Sequence, residues 1–289
     1  MPGTFSDSWT LTKTAFRLIR EDRALLVFPL VAGLAILGVV ALLIAGEFWL
    51  LGSSVLIGGS SGLADGLGVA VFLVAYFAMA FLSVYCTAAL IGAATLKLSG
   101  RQPTAADGWK VARARLGRLV LWALLTATVG LVIQAISSRA RGIAGAVIGA
   151  VGGVTWGVVT YFMIPVLLYE DERPWPALKR SAHLFISTFG RTLVSNLVLG
   201  LLLGAGIVAA VVLGVLGLLL AAGGALLLGL VLVGVGIAIA VLVALIGAAA
   251  EGILRAALYR YATTGEIDPA LLPGPYQLAS APSPAPRPS

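Results

Sequence analysis

In 289 residues the chain has one cysteine, Cys86, and one histidine, His183. A lone thiol permits no internal disulfide and no multi-thiolate metal site, and a lone imidazole removes most zinc, haem and His-based acid–base schemes. Charge is equally scarce: Asp, Glu, Lys and Arg make up 11% of the chain, where a soluble domain carries about 25%. With 60% of residues hydrophobic, too little polar surface remains to clothe a globule, and the expected solvent is lipid. Phosphate-cradling Walker loops, a Rossmann fingerprint and a nucleophile elbow are absent too, so no cofactor and no nucleic-acid partner is expected.

What the sequence has in quantity is long apolar runs. A helix crossing the hydrocarbon core needs about 20 such residues. Six stretches qualify, at about 24–45, 67–96, 119–136, 143–169, 193–222 and 225–253, which predicts an all-α polytopic transmembrane bundle. No charged residue occurs between Thr192 and Ala250, so Gly223-Gly224 is expected to turn the last two spans into a tight hairpin. Gly52 to Gly66 reads as an extra Gly/Ser-rich loop. Residues 266–289, with seven prolines from position 269 onward, read as a disordered tail. The polar leader before the first span is too long for a signal peptide, so that span is expected to be retained.

Sorted by loop, 17 of the 19 bases fall on one side of this topology; the exceptions are Arg139 and Arg141. The positive-inside rule then predicts a plasma-membrane protein with both termini in the cytoplasm. The net charge of +7 is expected to meet anionic phospholipid headgroups.

Each odd-numbered span is preceded by Trp, three residues and a base: Trp9 to Lys13, Trp109 to Arg113 and Trp175 to Lys179. Phe5, Trp9, Thr12, Phe16 and Ile19 share one side of a helical wheel, with Lys13, Arg17 and Arg20 about a quarter-turn away, the pattern of a helix lying in the headgroup layer. Thr104 with Asp107 resembles a capping box, and Pro174 and Pro176 sit where a third such helix would begin. Three repeats of interfacial amphipathic helix plus transmembrane hairpin would account for all six spans. Trp9, Lys13, Arg17, Trp109, Arg113, Trp175, Lys179 and Arg180 are then the expected headgroup contacts.

Several segments carry a family likeness. Met163-Ile-Pro165-Val-Leu-Leu-Tyr-Glu170, Ala177-Leu-Lys-Arg-Ser181, Ala257-Leu-Tyr-Arg-Tyr-Ala-Thr-Thr-Gly265 and the Trp9 to Pro29 segment resemble a bacterial and archaeal family of integral membrane proteins known only as a domain of unknown function. More distantly, the helix-plus-hairpin unit is similar to the membrane domain attached to some glycerophosphodiester phosphodiesterases. The first resemblance implies a six-span topology over nearly the whole chain apart from the tail, and it implies no activity. The phosphodiesterases keep catalysis in a separate soluble domain, for which this chain has no room.

Polar and helix-breaking residues inside spans are costly and define the candidate positions. Glu251 with Arg255 one turn later reads either as an interfacial ion pair or as a proton or cation site. Gln134 and Asn196 are expected to bond neighbouring helices. Pro29 and Pro165 read as helix-interior prolines that free a carbonyl one turn earlier, either kinking the bundle or lining a cavity. Gly145, Gly149, Gly153 and Gly157 form a small-residue stripe suited to close packing inside the chain or in a homo-oligomer. Cys86 reads as a small buried hydrophobe and His183 as an ordinary surface imidazole.

Two functional classes follow. The first is a non-enzymatic transporter-like or lipid-interacting membrane protein, which requires a mid-membrane cavity lined from more than one repeat. The second is a membrane-embedded lipid-modifying enzyme using Glu170, Asp171 and Glu172 at the cytoplasmic face. Three consecutive carboxylates cannot all point one way on a helix, which favours the first.

Overall fold

A computed structural model describes residues 16–20, 22–57, 62–140 and 142–264; it is all-helical, with no strand among the described residues. After helical residues 16–20, the Asp22 carboxylate accepts from the Ala24 amide at 3.1 Å and opens a 3-10 turn, Arg23–Leu26. The helices are then α1 (Val27–Ile57), α2 (Gly62–Leu98), α3 (Ala105–Ala114), α4 (Leu116–Arg139), α5 (Ile143–Val159), α6 (Met163–Tyr169), α7 (Pro174–Ser187), α8 (Phe189–Ala222) and α9 (Leu226–Thr264). Six segments are long and apolar enough to cross a membrane: Ala24–Gly46, Gly66–Leu98, Leu116–Arg139, Ile143–Tyr169, Asn196–Ala222 and Leu226–Thr264. The protein is therefore a multi-pass membrane protein. Trp9, Lys13 and the proline-rich tail lie outside the described residues.

Three boundaries differ from the hydropathy reading. The expected loop at Gly52 to Gly66 is largely helical, because α1 continues to Ile57 and α2 begins at Gly62. The last helix runs past Ile253 to Thr264 because Ala256, Ala257, Leu258 and Tyr259 remain buried. The fourth span is two helices, α5 and α6, separated at Thr160–Phe162.

The chain folds as hairpins α1–α2, α4–α5 and α8–α9, with α2 also touching α4 and α9. In α8–α9, Gly224 turns the chain at φ +96°, a backbone conformation that favours glycine. Below that turn the helices cross in near backbone contact: a Cβ on Gly229 would lie 2.5 Å from the Gly217 carbonyl oxygen. Trp122 and Trp156 stack at 5.8 Å between α4 and α5, and the Trp156 indole donates to Thr126 Oγ1 at 3.1 Å.

The core lies at one end of the bundle, where Leu25, Phe28, Ile91, Leu119, Phe162, Leu167 and Ile253 are almost wholly enclosed. This basic end also holds α3, α6, α7 and the turns bearing most of the described bases. Toward the far end, side chains such as Leu42, Val69, Val151, Leu218 and Leu227 are exposed, a condition that lipid tolerates because acyl chains are as apolar as leucine.

Candidate functional site

Pro165 determines where the fourth span breaks. It has no amide to return to the carbonyl of Tyr161, four residues earlier, and the helix stops at Val159 and restarts at Met163. Pro165 therefore occupies the first turn of α6, buried in the core, rather than a continuous helix interior. The break leaves the Phe162 amide without a helical partner, and Ser181 of α7 supplies one, its fully buried hydroxyl accepting that N–H at 3.1 Å. Ser181 reaches it because Ala177, Ser181, Leu184 and Phe185 form the buried stripe of α7. Pro29 is likewise in the first turn of its helix, α1, after the 3-10 turn. There the missing amide is one that has no partner within the helix anyway.

At the break, Tyr161 turns toward the other helices. Its hydroxyl accepts from Asn196 Nδ2 of α8 at 3.0 Å, and its ring meets Phe185 of α7 edge-on at 5.7 Å. The Arg255 guanidinium of α9 lies 5.0 Å from the Tyr161 ring centroid, and its Nη2 donates to Glu251 Oε1 one turn earlier. Arg255 is thus held by a carboxylate and a ring face, while its buried Nε has no hydrogen-bond partner.

These groups border a cavity of about 320 Å³ lined by Val154, Gly157, Val158, Tyr161, Phe185, Asn196, Glu251 and Arg255. Four elements from two different hairpins and α7 contribute. Val154 and Gly157, on its apolar side, are exposed, so the cavity opens sideways between α5 and α8–α9. By helical rise, Asn196 stands about 39 Å below the Gly223 turn and Glu251 about 38 Å below Leu226. Both exceed the roughly 30 Å hydrocarbon core, so the polar floor belongs to the basic end of the bundle.

Two members of the acidic run, Glu170 and Asp171, are committed to ion pairs. Glu170 accepts from Arg180 Nε at 3.1 Å and from the Tyr259 hydroxyl at 3.1 Å. Asp171 accepts from Arg115 at 2.9 Å and also from Arg118, and these two guanidinia hold its carboxyl below the usual carboxylate range, the Arg118 hydrogen bond contributing most. Arg118 further donates to the Glu170 carbonyl and Arg115 to the Leu168 carbonyl. Glu172 is exposed. Among the described residues no group of acidic, His or Cys side chains could hold a metal ion. Glu170 and Asp171 thus engage different partners, the first Arg180 and Tyr259, the second Arg115 and Arg118.

Other sequence candidates separate. Gln134 is exposed on α4, outside the cavity, and its backbone carbonyl accepts from Ser137 of the same helix. The glycine stripe is used only in part. A Cβ on Gly145 would meet the Ala140 and Ser137 carbonyls at 2.4 Å and one on Gly149 the Ser137 Cβ at 3.4 Å, whereas Gly153 and Gly157 face open space. Steps of four advance about 40° beyond a full turn, so the stripe winds off the α4 face and its last member borders the cavity. Trp109 is half-buried and packs between Phe28 and Tyr85 at 5.2 and 5.3 Å, because Gly108 beside it seats α3 on α2. Trp175 is 65% exposed, as are Arg17, Arg113 and Lys179 to varying degrees, while Arg180 is tied to Glu170. Asp107 accepts from both the Thr104 amide and hydroxyl, and the amide bond first of all lowers its carboxyl below the usual range. Cys86 is buried and His183 exposed.

Tyr161, Ser181, Arg115 and Arg118 were not among the sequence candidates. The first was findable as the residue four before Pro165, and the second from its place on the buried period of α7. The two arginines carried no signal, since their partner Asp171 is more than 50 positions away.

No curated protein and no solved structure matches the chain. A family model matches residues 66–268, leaving the Trp9 to Pro29 segment outside the match. With more than two-thirds of its length covered, the chain belongs to the family of unknown function DUF6159.

Proposed function

We propose that the protein is a non-enzymatic, lipid-interacting membrane protein that admits a phospholipid headgroup from the bilayer into the side cavity. The carrying observation is the combination of a lateral opening at Val154 and Gly157 with a polar floor of Tyr161, Asn196, Glu251 and Arg255. The volume argues for a headgroup: about 320 Å³ is at the small end of ligand pockets, which run roughly 300–1,000 Å³. Acyl chains would stay outside, against the exposed apolar faces of α5 and α8. In this reading the two termini are cytoplasmic and the membrane is the plasma membrane, supported by the 17-to-2 distribution of bases. Exposed Arg17, Arg113 and Lys179 would then border anionic headgroups outside the cavity.

Native mass spectrometry of protein purified in mild detergent tests it. The expected result is a stoichiometric lipid retained by the wild type and lost in Gly157→Leu. A Cβ at this position enters open space at the cavity mouth, which the larger leucine side chain is expected to fill. Retention of undifferentiated bulk lipid, equal in both proteins, would overturn the reading.

A further inference from the structure

Resting on the lipid reading above, we infer that the cavity selects a zwitterionic headgroup, one carrying a phosphate and a primary ammonium, over a net-anionic one. The floor holds one cation and one anion, Arg255 and Glu251, both lining the same space. A purely anionic ligand would gain Arg255 and meet Glu251 as a like charge; a purely cationic ligand would suffer the reverse. A phosphate joined to an ammonium matches both.

The donor and acceptor inventory supports this assignment. Arg255 spends Nη2 on Glu251 Oε1, while its Nε is buried without a partner. A guanidinium has five N–H donors in a planar fork suited to phosphate. Glu251 spends Oε1 on Arg255, and its side chain is 44% exposed against 24% for Arg255. The carboxylate is therefore the more accessible charge, and Oε2 can accept from an ammonium. Asn196 and the Tyr161 hydroxyl, already joined at 3.0 Å, add polar groups beside the phosphate position. Tyr161 also restrains Arg255 from the ring side, which keeps the guanidinium from following a ligand outward. Because α9 reaches this level about 38 Å below its far end, the pair stands where headgroups are and acyl carbons are not.

The test adds dioleoyl phosphatidylethanolamine and dioleoyl phosphatidylglycerol in equal amounts to delipidated full-length protein and reads the ratio retained by native mass spectrometry. Wild type is expected to favour the ethanolamine lipid. Glu251→Gln is expected to lower that ratio roughly tenfold, the fall that loss of one charge-assisted contact brings, while phosphatidylglycerol retention is kept or raised. Equal retention of the two lipids by wild type, with both lost in Gly157→Leu, would overturn the headgroup assignment and leave the lipid reading standing. Retention of both lipids unchanged in Gly157→Leu would overturn the two together. Should Glu251→Gln fail to fold, Glu251→Asp serves: the shortened carboxylate is expected to lower the preference without abolishing it, and an unaltered ratio would overturn the inference.

Discussion

The Ser181 hydroxyl is fully buried and answers the one amide that the fourth span releases at Phe162. An unsatisfied buried amide costs about 1–3 kcal/mol. Ser181→Ala should therefore lower the thermal unfolding midpoint in detergent, whereas Ser187→Ala, which removes only a bond to the Leu184 carbonyl, should change it much less. Equal midpoints for the two variants would show that the amide finds another partner. Asp171 makes a different case, because its carboxylate is exposed and its pairs with Arg115 and Arg118 are worth little at neutral pH. Its folded-state affinity for protons is depressed, so its contribution is complete above the ordinary unfolded value of about 3.9 and is lost as pH falls through the lower folded value. Asp171→Asn should lower stability slightly at pH 7, by the small amount the pairs contribute, and the two profiles should converge below about pH 4 as wild type loses that same amount; a profile superimposable on wild type across the whole range would contradict this.

Among the helices, the α8–α9 hairpin shows how glycine spacing separates contact from open space. Gly206, Gly217, Gly229 and Gly236 approach the opposing helix too closely for a Cβ, while Gly204 and Gly234 have nothing within 4 Å. Gly229→Leu should destabilise the protein by about 1–3 kcal/mol or more through overpacking. Gly234→Ala should stay within about 1 kcal/mol of wild type, with any gain coming from helix propensity. Unfolding of both variants in a detergent titration checks the contrast, and a neutral Gly229→Leu would contradict the close crossing. The same hairpin explains what could be read beforehand. Length and apolar content make six spans legible because they are local quantities, and Pro165 marks its own break. Which members of a glycine series touch a neighbour depends on helix rotation, which no single span encodes. Trp109 shows the same limit: its spacing from Arg113 matches that of Trp175 from Lys179, yet one packs inward and the other is exposed.

For the whole molecule, orientation is the property that charge predicts most directly. Replacing buried Cys86 by Ala gives a thiol-free background, since the chain has no other cysteine. In that background an impermeant maleimide applied to intact cells should label Ala225→Cys, beside the far hairpin turn, and spare Arg101→Cys at the basic end. The opposite pattern would invert the proposed topology. The site itself was only partly legible at this scale. Asn196, Glu251 and Arg255 stood out as polar residues at the ends of apolar spans, but their meeting with Tyr161 depends on how two hairpins and α7 converge, a long-range property absent from local periodicity.

That convergence has a practical corollary for where the chain can be interrupted. At the basic end, the connection after α6 is fastened by Glu170 and Asp171 to α4, α7 and α9, and the one after α2 by Arg260 to the Leu98 carbonyl. An epitope or reporter domain inserted in either would sever several bonds at once. The far turn at Gly223-Gly224 is anchored only by its own backbone bonds to Leu219, Leu220 and Ala221, and the side chains around it are exposed. It is accordingly the natural splice point for tags or circular permutation, one that leaves the cavity and its charged floor, about seven helical turns away, undisturbed.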